Sequence, residues 1–316
     1  MPKLLRFVLV YAVLPVTVIV AASLAWLRWD AGRPLDAWFD ERAGNLAGAA
    51  VLESAAANGQ ASQFIRLSSD TGLQVSIRVI RKMDATRPLP VLIILGGHRT
   101  GSDAAELFGA VGERAVVALD YPYAGPDKVR SLGQTLKTVP LARKAFIDTP
   151  PAVTLTIDWL EDQNWADPAQ LVIVGASLGA PFAALAAARD SRLSGALLVH
   201  GAADNRVWLE AQLARRIDSP LLHRPLATVI WWLAYGPTFD TAKNVARISP
   251  RPVVIIGARA DERTPAGQTE ALFAAALEPK TLRWSEGQHV DPRQTGIISE
   301  LLRIADEELP FPAKKR

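Results

Sequence analysis

The 316-residue sequence contains no cysteine. That excludes disulfide bonds and thiolate metal sites; it suits an exported protein without disulfides but fixes no compartment. Histidine is scarce: His98, His200, His223 and His289 are the four imidazoles available for proton transfer. The chain has no Gly-x-x-x-x-Gly-Lys phosphate loop and no His-Glu-x-x-His metal motif. Positive charge is not concentrated either. The formal net charge is +3, and the basic residues are spread out except for Lys314-Lys315-Arg316. This is no nucleic-acid footprint, and the basic tail reads as a solvated end. There is no internal repeat and no low-complexity linker. With 49% hydrophobic residues, the chain can bury one large core.

Charge is also missing from Phe7 to Leu27. A run of about twenty apolar residues is enough to cross a bilayer as a helix. Lys3 and Arg6 precede it, which puts the N-terminus in the cytoplasm by the positive-inside rule and the rest of the chain outside. Pro15 is compatible with such a helix. Residues 1–30 therefore read as an uncleaved signal anchor. A cleaved signal peptide with a site near Ser23-Leu24-Ala25 is the alternative, and the length of the run disfavours it. Residues 31–60 are alanine-rich and predict a helical connector. Trp29 and Trp38 suit either an interfacial belt or packing beneath the following domain.

The most informative segment is Leu171-Val172-Ile173-Val174-Gly175-Ala176-Ser177-Leu178-Gly179-Ala180. A β-branched run enters Gly-x-Ser-x-Gly, and an alanine-rich stretch to Ala188 predicts a helix. A strand, a turn of small residues and a helix expose the serine hydroxyl at the top of a sheet. Cβ atoms on Gly175 or Gly179 would collide with neighbouring backbone. A serine needs a base, and a base needs an orienting acid. The run Pro252 to Gly257 predicts a strand that leads to Asp261. The run Leu282 to Trp284 predicts another, followed by a polar loop with His289. Among the four histidines only His289 follows the acid and has a strand–loop setting. His200 follows the strand Ala196–Val199, and His223 lies in a helical region. Asp204 is the alternative acid, because it follows an earlier strand. Glu262, beside Asp261, is a weaker rival. Any of these carboxylates could instead be a loop charge or a helix N-cap.

The order Ser177, Asp261, His289 in these contexts resembles the α/β-hydrolase superfamily, over roughly Gln63 to the C-terminus. The resemblance implies an α/β fold with a mostly parallel central sheet and helices on both faces. It implies Ser177 as nucleophile, His289 as proton carrier and Asp261 as the group that orients it. It implies an oxyanion hole from the backbone of Leu178 and of the loop after Val91–Leu95, where Gly97 and His98 compete because Leu95-Gly96 replaces the usual His-Gly. Asp120-Tyr121-Pro122-Tyr123-Ala124-Gly125 resembles the Asp-x-Pro-x-x-Gly stretch that shapes the cleft. A dinucleotide-binding reading of Gly96–Gly101 fails, because His98 stands where a glycine must admit the pyrophosphate.

The domain expected is residues 61–316. It opens with an antiparallel hairpin around Ser69-Asp70-Thr71-Gly72. Strands at Val91–Leu95, Ala115–Leu119, Leu171–Val174, Ala196–Val199, Val253–Ile256 and Thr281–Trp284 then alternate with helical stretches. The segment 205–247 is too long for a crossover and predicts a helical cap over the site. Its apolar centre, Val229 to Tyr235, suits a substrate wall, packing onto the core, or a membrane-facing patch. The expectation is a membrane-anchored extracytoplasmic serine hydrolase. It would cleave a carboxylic ester of a small or lipid-like acyl substrate, with no metal or organic cofactor. A peptidase or acyltransferase with the same triad, and a catalytically silent binding protein, are the alternatives.

Overall fold

The apolar runs that feed the glycine turns lie side by side in the middle of one nine-stranded sheet. The computed structural model describes residues 11–308 apart from 12, 98, 99 and 127. Helices α1 (Leu14–Gly32) and α2 (Asp36–Ala43) precede strands β1 (Leu46–Ala57), β2 (Gln60–Ser69), β3 (Gln74–Lys82) and β4 (Leu89–Leu95). A 3-10 turn (Ser102–Phe108) leads to β5 (Ala115–Leu119), α3 (Leu132–Glu161), β6 (Ala166–Ala176), α4 (Gly179–Arg189) and β7 (Leu193–Val199). Three helices follow, α5 (Asn205–Ala214), α6 (Pro220–Leu233) and α7 (Thr241–Val245). The chain closes with β8 (Val253–Ala258), α8 (Gln268–Ala275), β9 (Lys280–Ser285) and α9 (Thr295–Glu308).

The strand order is β1-β2-β3-β5-β4-β6-β7-β8-β9. The pairs β1–β2, β2–β3 and β3–β5 are antiparallel, and the rest are parallel. Strands β4, β5 and β8 and the Leu171–Ala176 part of β6 are apolar at every position because both sheet faces are covered there. Val91, Ile93, Leu171, Ile173 and Leu198 enter the layer formed by α3 and α4. Their neighbours Leu92, Ile94, Val174, Leu197 and Val199 face the other side, where α9 and the 3-10 turn pack. The chain lays β4 and β5 on one side and then crosses through α3 to β6 on the other. The carboxyl ends of β4 and β6, joined at Leu95 and Gly175, therefore flank the crevice where parallel α/β sheets hold ligands.

The helical connector expected over residues 31–60 is corrected. Only Asp36–Ala43 is helical beyond α1, and Leu46–Ala57 is the edge strand of the sheet. Alanine favours helix by propensity, but the hairpin with β2 overrides it. The turn is Asn58-Gly59, with φ of 52° and 73°, the pairing that suits a two-residue hairpin turn. The run Ala104–Phe108 forms part of a 3-10 turn rather than a full helix.

Helix α1 is long and apolar enough to cross a membrane, with a mean hydropathy of 1.3 and only 17% of its span buried. Its last turn is docked: Leu27, Asp30 and Ala31 are buried. Asp30 pairs with Arg33 at 3.0 Å and with Arg143 of α3. Arg143 also donates to the Leu233 carbonyl at 2.9 Å and lies over the Tyr235 ring, so α1, α3 and α6 meet at one guanidinium.

Candidate functional site

Ser177 occupies a left-handed backbone position, φ 53°, between β6 and α4. A non-glycine residue there is strained and is kept only by its surroundings. The Ser177 amide donates to the Val199 carbonyl at 2.8 Å, and its carbonyl accepts from Ala180 at 3.1 Å. The flanking glycines make this approach feasible. A Cβ on Gly175 would lie 2.5 Å from both Ala183 Cβ and the Gly179 carbonyl oxygen, and one on Gly179 would overlap the Leu95 carbonyl.

Three side chains distant in sequence converge here. His289 Nε2 is 2.7 Å from Ser177 Oγ. His289 Nδ1 is 2.9 and 3.0 Å from the two carboxylate oxygens of Asp261. Asp261 Oδ1 also accepts the Arg263 and Thr264 amides, each at 2.8 Å. Burial pushes the Asp261 pKa upward, but the hydrogen bonds from His289, Thr264 and Arg263 outweigh it and hold the group below the usual carboxylate range. An ionised Asp261 fixes Nδ1–H on His289 and leaves Nε2 free to accept the serine proton. Glu262 accepts the His289 amide at 3.0 Å, which makes it a brace of the histidine loop.

Asp204 is elsewhere. Its carboxylate caps α5, accepting the Arg206 and Val207 amides at 2.8 and 3.3 Å. Leu178 stands at the N-terminus of α4. Gly97 lies against Ser177: a Cβ there would be 3.5 Å from Ser177 Cβ. Both positions suit donors to a developing oxyanion. Tyr121 in the Asp-x-Pro stretch donates to the Gly96 carbonyl at 2.6 Å and fixes that loop. His98 falls outside the described residues. His223 Nε2 donates to the Ile217 carbonyl, 2.6 Å away, in the link between α5 and α6.

Sequence reasoning set His200 aside, yet it supports the site. It is 1% exposed, and its ring centroid is 5.5 Å from that of His289. Its Nδ1 accepts the Val290 amide at 2.8 Å, so the other nitrogen carries the proton, toward Ser285 Oγ at 3.0 Å. Burial and the nearby His289 push its pKa down to about 4. The only sequence signal was its position directly after a central strand. Nitrogen and oxygen atoms of His200, Asp261 and His289 lie within 4.8 Å of one another. Every one of these imidazole nitrogens is hydrogen-bonded within the protein, so the cluster suits proton transfer rather than metal ligation.

Two hollows meet at Ser177. One, of about 410 Å³, extends under the sheet toward α9. The other, of about 130 Å³, lies against α5 and α6 between Phe146, Trp208, Trp231 and Phe239.

Residues 151–291 match the model of the prolyl oligopeptidase family. Solved structures with the same fold include an acetyl xylan esterase from Paenibacillus sp. R4, at 17% identity and a TM-score of 0.62, covering 89% of this chain and 99% of that one. Acetyl xylan esterase 1 from Thermoanaerobacterium sp. JW/SL YS485 has 17% identity and a TM-score of 0.59, with 89% and 98% covered. A cold-adapted esterase from an Arctic intertidal metagenomic library has 16% identity and a TM-score of 0.56, with 82% and 98% covered. No curated protein matches the sequence.

Proposed function

We propose that this chain, a serine hydrolase of the α/β-hydrolase superfamily, is a membrane-anchored extracytoplasmic enzyme that cleaves a carboxylic ester through Ser177, His289 and Asp261. The observation that carries the reading is the unbroken hydrogen-bond line from Ser177 Oγ through His289 to Asp261. In this mechanism Ser177 Oγ attacks the ester carbonyl carbon as its proton passes to His289 Nε2. The negative oxygen of the tetrahedral intermediate takes the Leu178 and Gly97 amides as donors. Collapse breaks the bond to the alcohol oxygen, which leaves with the proton from His289. Water then attacks the acyl-serine and gives a proton to His289. The carboxylic acid departs, and the proton returns to Ser177. Asp261 stays ionised and stabilises the imidazolium at each stage.

The ester reading draws support from the esterase names of the structural neighbours. The prolyl oligopeptidase family match favours amide hydrolysis as the second reading. A fluorophosphonate probe tests the enzyme: labelling should occur and vanish in Ser177→Ala. A folded wild-type protein that resists the probe would leave a silent binding protein. Turnover of acyl esters but not aminoacyl anilides separates the two enzymatic readings.

The anchor is residues 1–30, and the cap is residues 205–247. The apolar sides of Val16, Ile19 and Trp26 on α1 are exposed, as a lipid-facing helix requires. The cap helix α6, which packs on α1, exposes Leu222, Leu226 and Ile230 along one side. That stripe faces the same apolar surroundings in the anchored protein. A reporter fused after Arg316 that works only when exported should be active; activity of a cytoplasm-only reporter there would refute the topology.

A further inference from the structure

Among the described residues, the link from β4 to β5 contains only the seven-residue 3-10 turn, whereas α3, on the opposite face, has 30 residues. One face of the sheet is therefore thinly covered, and the shortfall leaves the 410 Å³ chamber between the sheet, the 3-10 turn and α9. Its floor is Leu92, Ile94, Val174 and Leu197, all buried aliphatic side chains. Its far wall is Leu301 and Ala305 of α9, and its near wall includes Leu107. Its polar lining side chains are Thr100, Ser177, Arg263 and the Asp291–Arg293 ion pair, with Gly97 beside Ser177. A chamber that reaches Ser177 and is lined mainly by aliphatic side chains from the sheet, the 3-10 turn and α9 matches a hydrocarbon chain attached to one carbonyl. An acetyl group would leave nearly all of it empty. At about 30 Å³ per water-sized group, the volume takes roughly eight to twelve carbons of chain once the mouth is set aside.

We propose that this chamber is the acyl-chain site, and that the substrate is an ester of an unbranched medium-length fatty acid whose alcohol portion lies on the cap side of Ser177. The proposal rests on the hydrolase reading above. The sheet-side hollow takes the longer group because the cap-side hollow is about one third of its volume, 130 against 410 Å³, and is lined by rings.

The test uses the full chain in detergent and p-nitrophenyl esters from two to sixteen carbons. Wild type should peak in kcat/KM at about eight to twelve carbons. Ala305→Trp and Leu107→Trp fill the chamber from opposite walls. Each should lower the ratio of kcat/KM for the ten-carbon ester over the two-carbon ester by about 30-fold. Labelling of each variant by a short-chain fluorophosphonate reads folding and Ser177 reactivity independently of chain length. A wild-type profile that falls steadily from the acetate ester overturns the proposal. An unchanged ratio in a variant that labels normally does so too. Failure of wild type to label overturns the hydrolase reading itself, and this proposal with it.

Discussion

Acid should weaken this protein through His200. In the native state the ring is sealed among Ser285, Val290 and His289, and its pKa lies at about 4, below the ordinary value of 6.5. The unfolded chain recovers the ordinary value. As pH falls through 6.5 the unfolded form binds a proton that the native form refuses, so the stabilising difference is complete above 6.5 and is lost as pH falls toward 4. A shift of that size corresponds to about 3 kcal/mol, most of it gone by pH 4.5. His200→Asn isolates this contribution. Asparagine keeps an oxygen for the Val290 amide, tolerates the φ of 52° at this position and does not titrate. Denaturant unfolding of both proteins from pH 7.5 to 4.5 should show wild type losing about 2–3 kcal/mol more than the variant. Parallel stability curves would refute the argument.

The acid assignment has two tests. Asp261→Asn should lower kcat by about 10⁴-fold with the protein still folded, because the imidazole loses its orienting charge; turnover within tenfold of wild type would contradict the geometry. Asp204→Asn should leave turnover near wild type, since asparagine also caps helices. A collapse of activity in that variant would transfer the orienting role to Asp204.

The serine turn was readable because its constraints are local: Gly175 and Gly179 must be small, and the strand before them is unmistakably apolar. Asp261 and His289 could be named because each follows a strand whose place in the sheet is set by order alone. The edge strand β1 could not be read from its alanines. What specifies it is the Asn58-Gly59 turn and the partner strand 60–69, both outside the segment itself. Asp204 carried an acidic side chain after a strand, as Asp261 did. Only the following helix shows that its carboxylate is spent on the Arg206 and Val207 amides. His200 has no motif at all. Its role comes from the Val290 amide, 90 residues away along the chain. The chamber was equally hidden, because among the described residues the link between β4 and β5 forms a short 3-10 turn in place of a full helix.

Arg143 ties the first helix, the longest core helix and the end of α6 together. A version trimmed to begin beyond Arg33 would discard the Asp30 carboxylate and strand a half-buried cation beside Tyr235 and the Leu233 carbonyl. Such trimming would loosen the packing of α6, whose residues roof the hollow beside Ser177. Kinetics from the shortened form would then describe a laxer enzyme than the one cells make.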